Sequence, residues 1–178
     1  DCGGVLVHRI VQRENGDLGV RPFVEEENQS AGVAAITLEN VQGNKEFVFA
    51  NEIGTRYRVD FMVEFSEQTY RFGVKVYENS ILDSGYAYQF VPAEQKVEFD
   101  RLPNMKWFLY LNKGMMQSVS LTAGKKYSAT LLVHDDISVL YVDGIAISAR
   151  MKEKPGNELK FYVDSGKISV SEITLTRR

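Results

Sequence analysis

The stretch YRVDFMVEF, residues 57–65, decides the fold class. Tyr57, Val59, Phe61, Val63 and Phe65 point one way, and Arg58, Asp60, Met62 and Glu64 point the other. A period of two places one apolar row against a core and one polar row toward water, which is a half-buried strand. Tyr70, Phe72, Val74 and Val76 then alternate with Arg71, Gly73, Lys75 and Tyr77, and residues 66–69 between the two runs are few enough for a hairpin. Antiparallel pairing of these two strands is the expectation. Tyr86, Tyr88 and Phe90 mark a third strand, and Val97 with Phe99 a fourth. Residues 105–111 form a fifth, whose apolar and aromatic residues on both sides suit a covered position.

Beyond Gly114 the pattern is a meander. Residues 127–134 and 137–143 flank a turn at Asp135-Asp136, and Asp143-Gly144 turns the chain into residues 145–151. Residues 152–157, with Pro155-Gly156, break the run. Leu159, Phe161 and Val163 resume it, and Ser165-Gly166 is expected to turn into a last strand over residues 167–176. There the apolar set moves from Ile168 and Val170 to Ile173 and Leu175, so a β-bulge is expected near Ser171 or Glu172. At the other end, residues 4–12 and 18–23 read as strands around Asn15-Gly16, a tight-turn pair, and the polar residues 25–32 read as a surface crossing. No apolar stripe of helical period extends far, and one short helix is expected near residues 43–53. About a dozen strands separated by Gly, Asn, Asp and Pro imply an all-β, two-sheet antiparallel β-sandwich, jelly-roll-like or concanavalin-like, with a closed barrel as the alternative.

Composition agrees. The chain has 178 residues, enough for one core, with 10 Phe and 9 Tyr against 4 Pro. A formal charge of −3 sets nucleic acid aside as a partner, because phosphate-binding surfaces concentrate Lys and Arg. Cys2 is the only cysteine, so no disulfide forms within the chain. Cys2-Gly3-Gly4 has the look of a lipid-anchor context, but Asp1 precedes it without an apolar signal segment. No apolar run approaches the roughly 20 residues of a membrane span.

Candidate chemistry is sparse. His8 and His134 belong to no metal-spacing motif, and neither a nucleophile elbow, a phosphate loop nor a dinucleotide fingerprint occurs. The expectation is therefore no catalytic residue, no metal and no cofactor. Asp135, Asp136 and Asp143 are read as turn residues, with calcium binding as the rival. Asp100 and Arg101 are read as an ion pair that fixes the following loop, with saccharide binding as the rival. A sugar-binding surface would use aromatic rings, for which Trp107, Tyr110, Tyr86, Tyr88 and Tyr77 are the candidates. Most such rings fill the space between sheets. Tyr77 and Tyr110 are expected to be the exposed ones, since they share strand faces with Lys75 and Lys106.

VLVHRIVQRENGDLGVRP at 5–22, RFGVKVY at 71–77, KVEFDR at 96–101 and LLVHDDISVLYVDGIAISARM at 131–151 together resemble, in order, the C-terminal β-sandwich of family 32 glycoside hydrolases. These are the β-fructosidases: invertases, levanases and inulinases. His8-Arg9-Ile10 stands where that family has Pro-Arg-Glu, and His134-Asp135 where it has Asp-Arg. The family's catalytic motifs, of Trp-Met-Asn-Asp-Pro-Asn, Arg-Asp-Pro and Glu-Cys type, lie on a five-bladed propeller and are absent from this sequence. The resemblance implies a non-catalytic module that supports such a propeller. Residues 1–28 would be a hairpin and crossing segment coming from it, and residues 29–178 the sandwich. It implies the propeller of the same parent chain as partner, with an oligosaccharide as a second. Periplasmic or extracellular location is favoured, with cytoplasmic location left open. An independent lectin-like carbohydrate-binding module is the alternative.

Overall fold

A computed structural model describes residues 7–23, 32–103 and 115–177. Strands β1 (His8–Gln12) and β2 (Leu18–Pro22) form an antiparallel hairpin. Its loop is wider than the two-residue turn that Asn-Gly suggests. The Arg13 amide donates to Asp17 O at 2.8 Å and the Gly16 amide to Arg13 O at 3.0 Å, with Gly16 in the left-handed region at φ 87°. Glycine takes that conformation without steric cost, so it closes the longer loop as readily.

Strand β3 (Gly32–Ala50) occupies 19 residues, including most of the segment expected to hold a short helix. Its ladder to β12 explains the correction, since pairs run from Gly32 with Thr174 to Ala50 with Leu159. The apolar parity changes along it, from Ile36 and Leu38 to Phe47 and Phe49, so no single alternation marks it as a strand. Strands β4 (Arg56–Phe65), β5 (Arg71–Asn79) and β6 (Ser84–Val91) follow, then a 3-10 turn at Pro92–Glu94 and β7 (Lys96–Leu102). The expected strand over 105–111 lies outside the described residues. The remaining strands are β8 (Met115–Ser118), β9 (Tyr127–His134), β10 (Ile137–Val142), β11 (Ile145–Arg150) and β12 (Glu158–Arg177). As expected, β9, β10 and β11 form an antiparallel meander. Asp143 and Gly144, with φ of 45° and 72°, make the two-residue turn between the last two.

Strand β12 joins the two sheets. Its first part pairs with β5 and its last part with β4, while β3 follows it on the other edge. Ser165-Gly166, expected as a reversal, is instead a bend within one strand, with φ of 61° and 106°. Consequently β4 and β5 are not hairpin partners. The residues between them cross from one sheet to the other over this bend, the Ser66 amide donating to Lys167 O and the Tyr70 amide to Ser165 O. The expected bulge is present: the register of β12 with β4 shifts between Ser171 and Thr174, and Glu172 has φ of 53°.

The result is a two-sheet antiparallel sandwich. Tyr57, Val59, Phe61, Val63 and Phe65 are all buried, each contributing on the order of 2 kcal/mol of apolar burial. They meet the other sheet through Phe65 on Phe72, with ring centroids 5.2 Å apart, and through Phe61 on Phe161 at 5.1 Å. The hydroxyls of Tyr88 on β6 and Ser138 on β10 meet at 2.7 Å across the core. A second apolar cluster, Leu132, Ile137, Val139 and Tyr141, lies beside Val20 of the hairpin. The Val20 amide donates to Gly144 O at 2.9 Å, and His8 Nδ1 lies 2.8 Å from the Tyr141 hydroxyl, so the N-terminal hairpin is attached to the β10–β11 region.

Candidate functional site

The side of β12, β5, β6 and β7 that faces away from the core carries polar residues that ordinary surface alternation does not bury. Lys75, Lys160, Glu78, Gln89 and Asp100 are all buried. Burying charge is costly unless it is compensated, so their partners define what the face is for.

Near β3 the charges compensate one another. Lys160 Nζ lies 2.9 Å from Glu78 Oε2, 3.1 Å from Glu158 and 3.2 Å from Glu46, while Lys75 holds Glu46 and the other oxygen of Glu78. Burial opposes the charged lysines, yet the hydrogen bonds they donate to the glutamates raise both above the usual range. This network clamps β3, β12 and β5 together.

At the other end of the face the network is incomplete. Arg71 Nη1 donates to Gln89 Oε1 at 3.0 Å, and Gln89 Nε2 donates to Asp100 Oδ2 at 2.8 Å. This relay crosses β5, β6 and β7. Arg71 Nη2 also donates to the Tyr70 hydroxyl at 3.2 Å, and the guanidinium lies over the Tyr70 ring, 5.1 Å from its centroid. Arg71 Nε is a buried donor without a hydrogen-bond partner among the described residues, and Asp164 Oδ2 is 3.9 Å away, beyond direct bonding. Burial pushes the Asp100 and Asp164 carboxyls up, with Glu98 adding to the effect on Asp100 and Arg71 opposing it at both. Tyr70 is 55 % exposed. The arrangement combines an open aromatic ring with a fixed row of donors and acceptors.

A groove of about 840 Å³ also runs between the hairpin and the β4–β9–β10 sheet. Within its lining, Arg58 grips Asp60 through two bonds of 2.7 and 2.8 Å and Thr130 Oγ1 donates to Asp60 at 2.6 Å, while Arg13, Arg21 and Lys126 also border it.

The aromatic candidates fall elsewhere. Trp107 and Tyr110 lie outside the described residues. Tyr77, expected to be exposed beside Lys75, is 1 % exposed. A register shift between Val76 and Asn79, with Tyr77 at φ 51°, turns its ring off the Lys75 face, and its hydroxyl donates to Gly54 O at 2.9 Å. Tyr86 stacks on Phe99, and Tyr88 is enclosed between Phe99 and Ser138. None of these three buried rings presents a face to a sugar.

Asp100 and Arg101 do not pair either. Adjacent strand residues face opposite ways, so Asp100 meets Gln89 while Arg101 pairs with Glu153 in the loop after β11. The turn aspartates bond to arginines, Asp135 to Arg56 and Asp136 to Arg150. Tyr70 and Arg71 escaped sequence reasoning because alternation puts Tyr70 in line with the inward Phe72. The strand starts one residue later, at Arg71.

No family model matches the chain, and no curated protein sequence does either. Solved structures share its fold. The carbohydrate-binding module CBM66 from Bacillus subtilis matches with a TM-score of 0.63 and 11 % identity, over 95 % of this chain and 91 % of its own. A fructosyltransferase from A. japonicus matches with a TM-score of 0.69 and 13 % identity, over 96 % of this chain but 31 % of its own. An exo-inulinase from Aspergillus awamori gives 0.67 and 10 %, over 94 % and 34 %. The chain thus spans about a third of the length of these enzymes and nearly all of the binding module.

Proposed function

We propose that this chain is a non-catalytic β-sandwich module of a fructoside-processing glycoside hydrolase, supporting the catalytic propeller of the same parent chain. The observation that carries the reading is the pattern of coverage. Nearly the whole chain aligns with only about a third of enzymes named for fructoside chemistry. The ordered sequence resemblance supports the same assignment, and the propeller's catalytic motifs are missing from this sequence. The hairpin adds a surface suited to a domain junction, because Val7, Ile10, Leu18 and Phe23 are exposed although apolar.

A second reading, an independent carbohydrate-binding module, is favoured by the near-complete mutual coverage with CBM66. One measurement tests both readings and a second decides between them. Assayed alone on sucrose, inulin and levan, the chain is expected to show no turnover, because the paired carboxylates of the family's mechanism belong to the propeller. Turnover abolished by changing one carboxylate of this chain would overturn both readings. The coding sequence upstream is expected to encode the three propeller motifs, and their absence there would overturn the accessory role in favour of the second reading.

A further inference from the structure

We propose that Tyr70, Arg71 and Asp164, with Arg71 held in place by Gln89 and Asp100, form a binding site for a neutral saccharide at the bend of β12. The inference goes beyond the accessory role, since a module that only supports a catalytic domain has no need of an ordered polar relay beside an open ring.

Three features carry it. The first is the ring: Tyr70 is more than half exposed, and the Arg71 guanidinium covers one of its faces. The opposite face is left for a ligand, and the apolar side of a sugar ring stacks on such a surface. The second is fixed polarity. Arg71, Gln89 and Asp100 are bonded in series across three strands, so their directions are set before any ligand arrives. The third is an open valence. Arg71 Nε has no partner among the described residues, and Asp164 Oδ2 stands 3.9 Å from it. A hydroxyl oxygen seated between them would accept from Nε and donate to the carboxylate. Only a group that both donates and accepts satisfies both sides, which is the property of a sugar hydroxyl.

Charge selects among ligands. Asp100, Asp164 and Glu98 lie near Arg71, while the Lys96 and Lys75 ammoniums that also act on the two aspartates are already held by Glu94, Glu98, Glu46 and Glu78, so a phosphate or carboxylate ligand finds little uncompensated positive charge here. Buried Asp100 and half-buried Asp164 are already pushed toward protonation by their surroundings, and an added anion would push them further.

The test is calorimetric titration of the chain with kestose, a levan-derived tetrasaccharide and lactose, with inorganic sulfate as the anion control. At least one saccharide is expected to bind saturably in the millimolar range or tighter, and sulfate is not. Tyr70→Ala should weaken that binding about tenfold, the usual worth of an aromatic stack, with the melting temperature unchanged. Arg71→Met should weaken it at least as much, and Phe23→Ser on the hairpin should not change it. The assignment is overturned if none of the three saccharides binds, if sulfate binds more tightly than they do, or if Tyr70→Ala leaves the affinity unchanged. Failure here leaves the accessory role standing, and absence of the upstream propeller motifs leaves this site standing.

Discussion

Lys160 shows how single residues are committed in this protein. It is 4 % exposed and its ammonium meets Glu46, Glu78, Glu158 and the Ser80 hydroxyl. Lys160→Met would leave Lys75 alone among three carboxylates, with Glu78 almost fully buried. Removing one partner of a buried pair costs about 3–5 kcal/mol, because the other charge loses its compensation. Thermal denaturation should register this as a large fall in melting temperature, and the double change Lys160→Met with Glu78→Leu should recover much of it. The same cluster fixes a pH dependence. Burial works against ionisation of Glu46, but the Lys75 ammonium prevails and holds its carboxyl below the usual value. Its contribution is therefore present above the unfolded value of about 4.3 and lost as pH falls through the lower folded one. Lys75 and Lys160 are raised, so their contribution is full below about pH 10.4 and is lost as pH rises through their folded values. Melting temperature against pH should show a plateau between these limits, and the alkaline decline should be shallower in Lys160→Met.

At the scale of elements, the bend in β12 decides the architecture, because it hands one strand from the first sheet to the second. Gly166 takes φ of 106°, and a Cβ there would stand 2.4 Å from the Thr69 Cα. Thr69 Oγ1 donates to Lys167 O at 3.0 Å and lies 2.6 Å from the same imagined Cβ, so no movement relieves the crowding without breaking the clamp on the crossing. Gly166→Ala is expected to cost about 1–3 kcal/mol in denaturant unfolding. Gly124→Ala has a comparable φ of 75° with nothing within 4 Å, and should cost measurably less. Sequence made β4, β6 and β7 legible because their side chains alternate, and the β9–β11 meander legible because its turns carry Asp and Gly. It did not reveal β3, whose apolar parity reverses between Leu38 and Phe47, nor the continuity of β12, since Ser165-Gly166 suits a bend and a reversal equally. A hairpin at residues 66–69 fails for the same reason: a short loop fixes distance, not which sheet the next strand joins. The candidate site was hidden for a related reason. Arg71 and Gln89 read as ordinary outward polar positions, and Asp100 as a partner of Arg101, until the register of three strands aligns them.

At the scale of the whole molecule, the N-terminal hairpin is an added layer that leaves apolar residues exposed. Val20 packs beside Tyr141 and its amide reaches Gly144 O, whereas Val7, Ile10, Leu18 and Phe23 are exposed. Isolated exposed apolar residues are common, but four on one short hairpin make an apolar surface, spread over both of its faces, that association would remove from water. If that surface is the seat of a catalytic domain, its residues stabilise the parent assembly and contribute little to this chain alone. The double change Leu18→Ser with Phe23→Ser should therefore alter the stability of the isolated chain by no more than about 0.5 kcal/mol, as for other surface substitutions. In a parent chain carrying the propeller, it should separate one cooperative melting transition into two, because the domains would no longer stabilise each other. Calorimetry on both forms distinguishes the cases. A large loss in the isolated chain would mean that these side chains already pack within it, and the hairpin could not then serve as the junction.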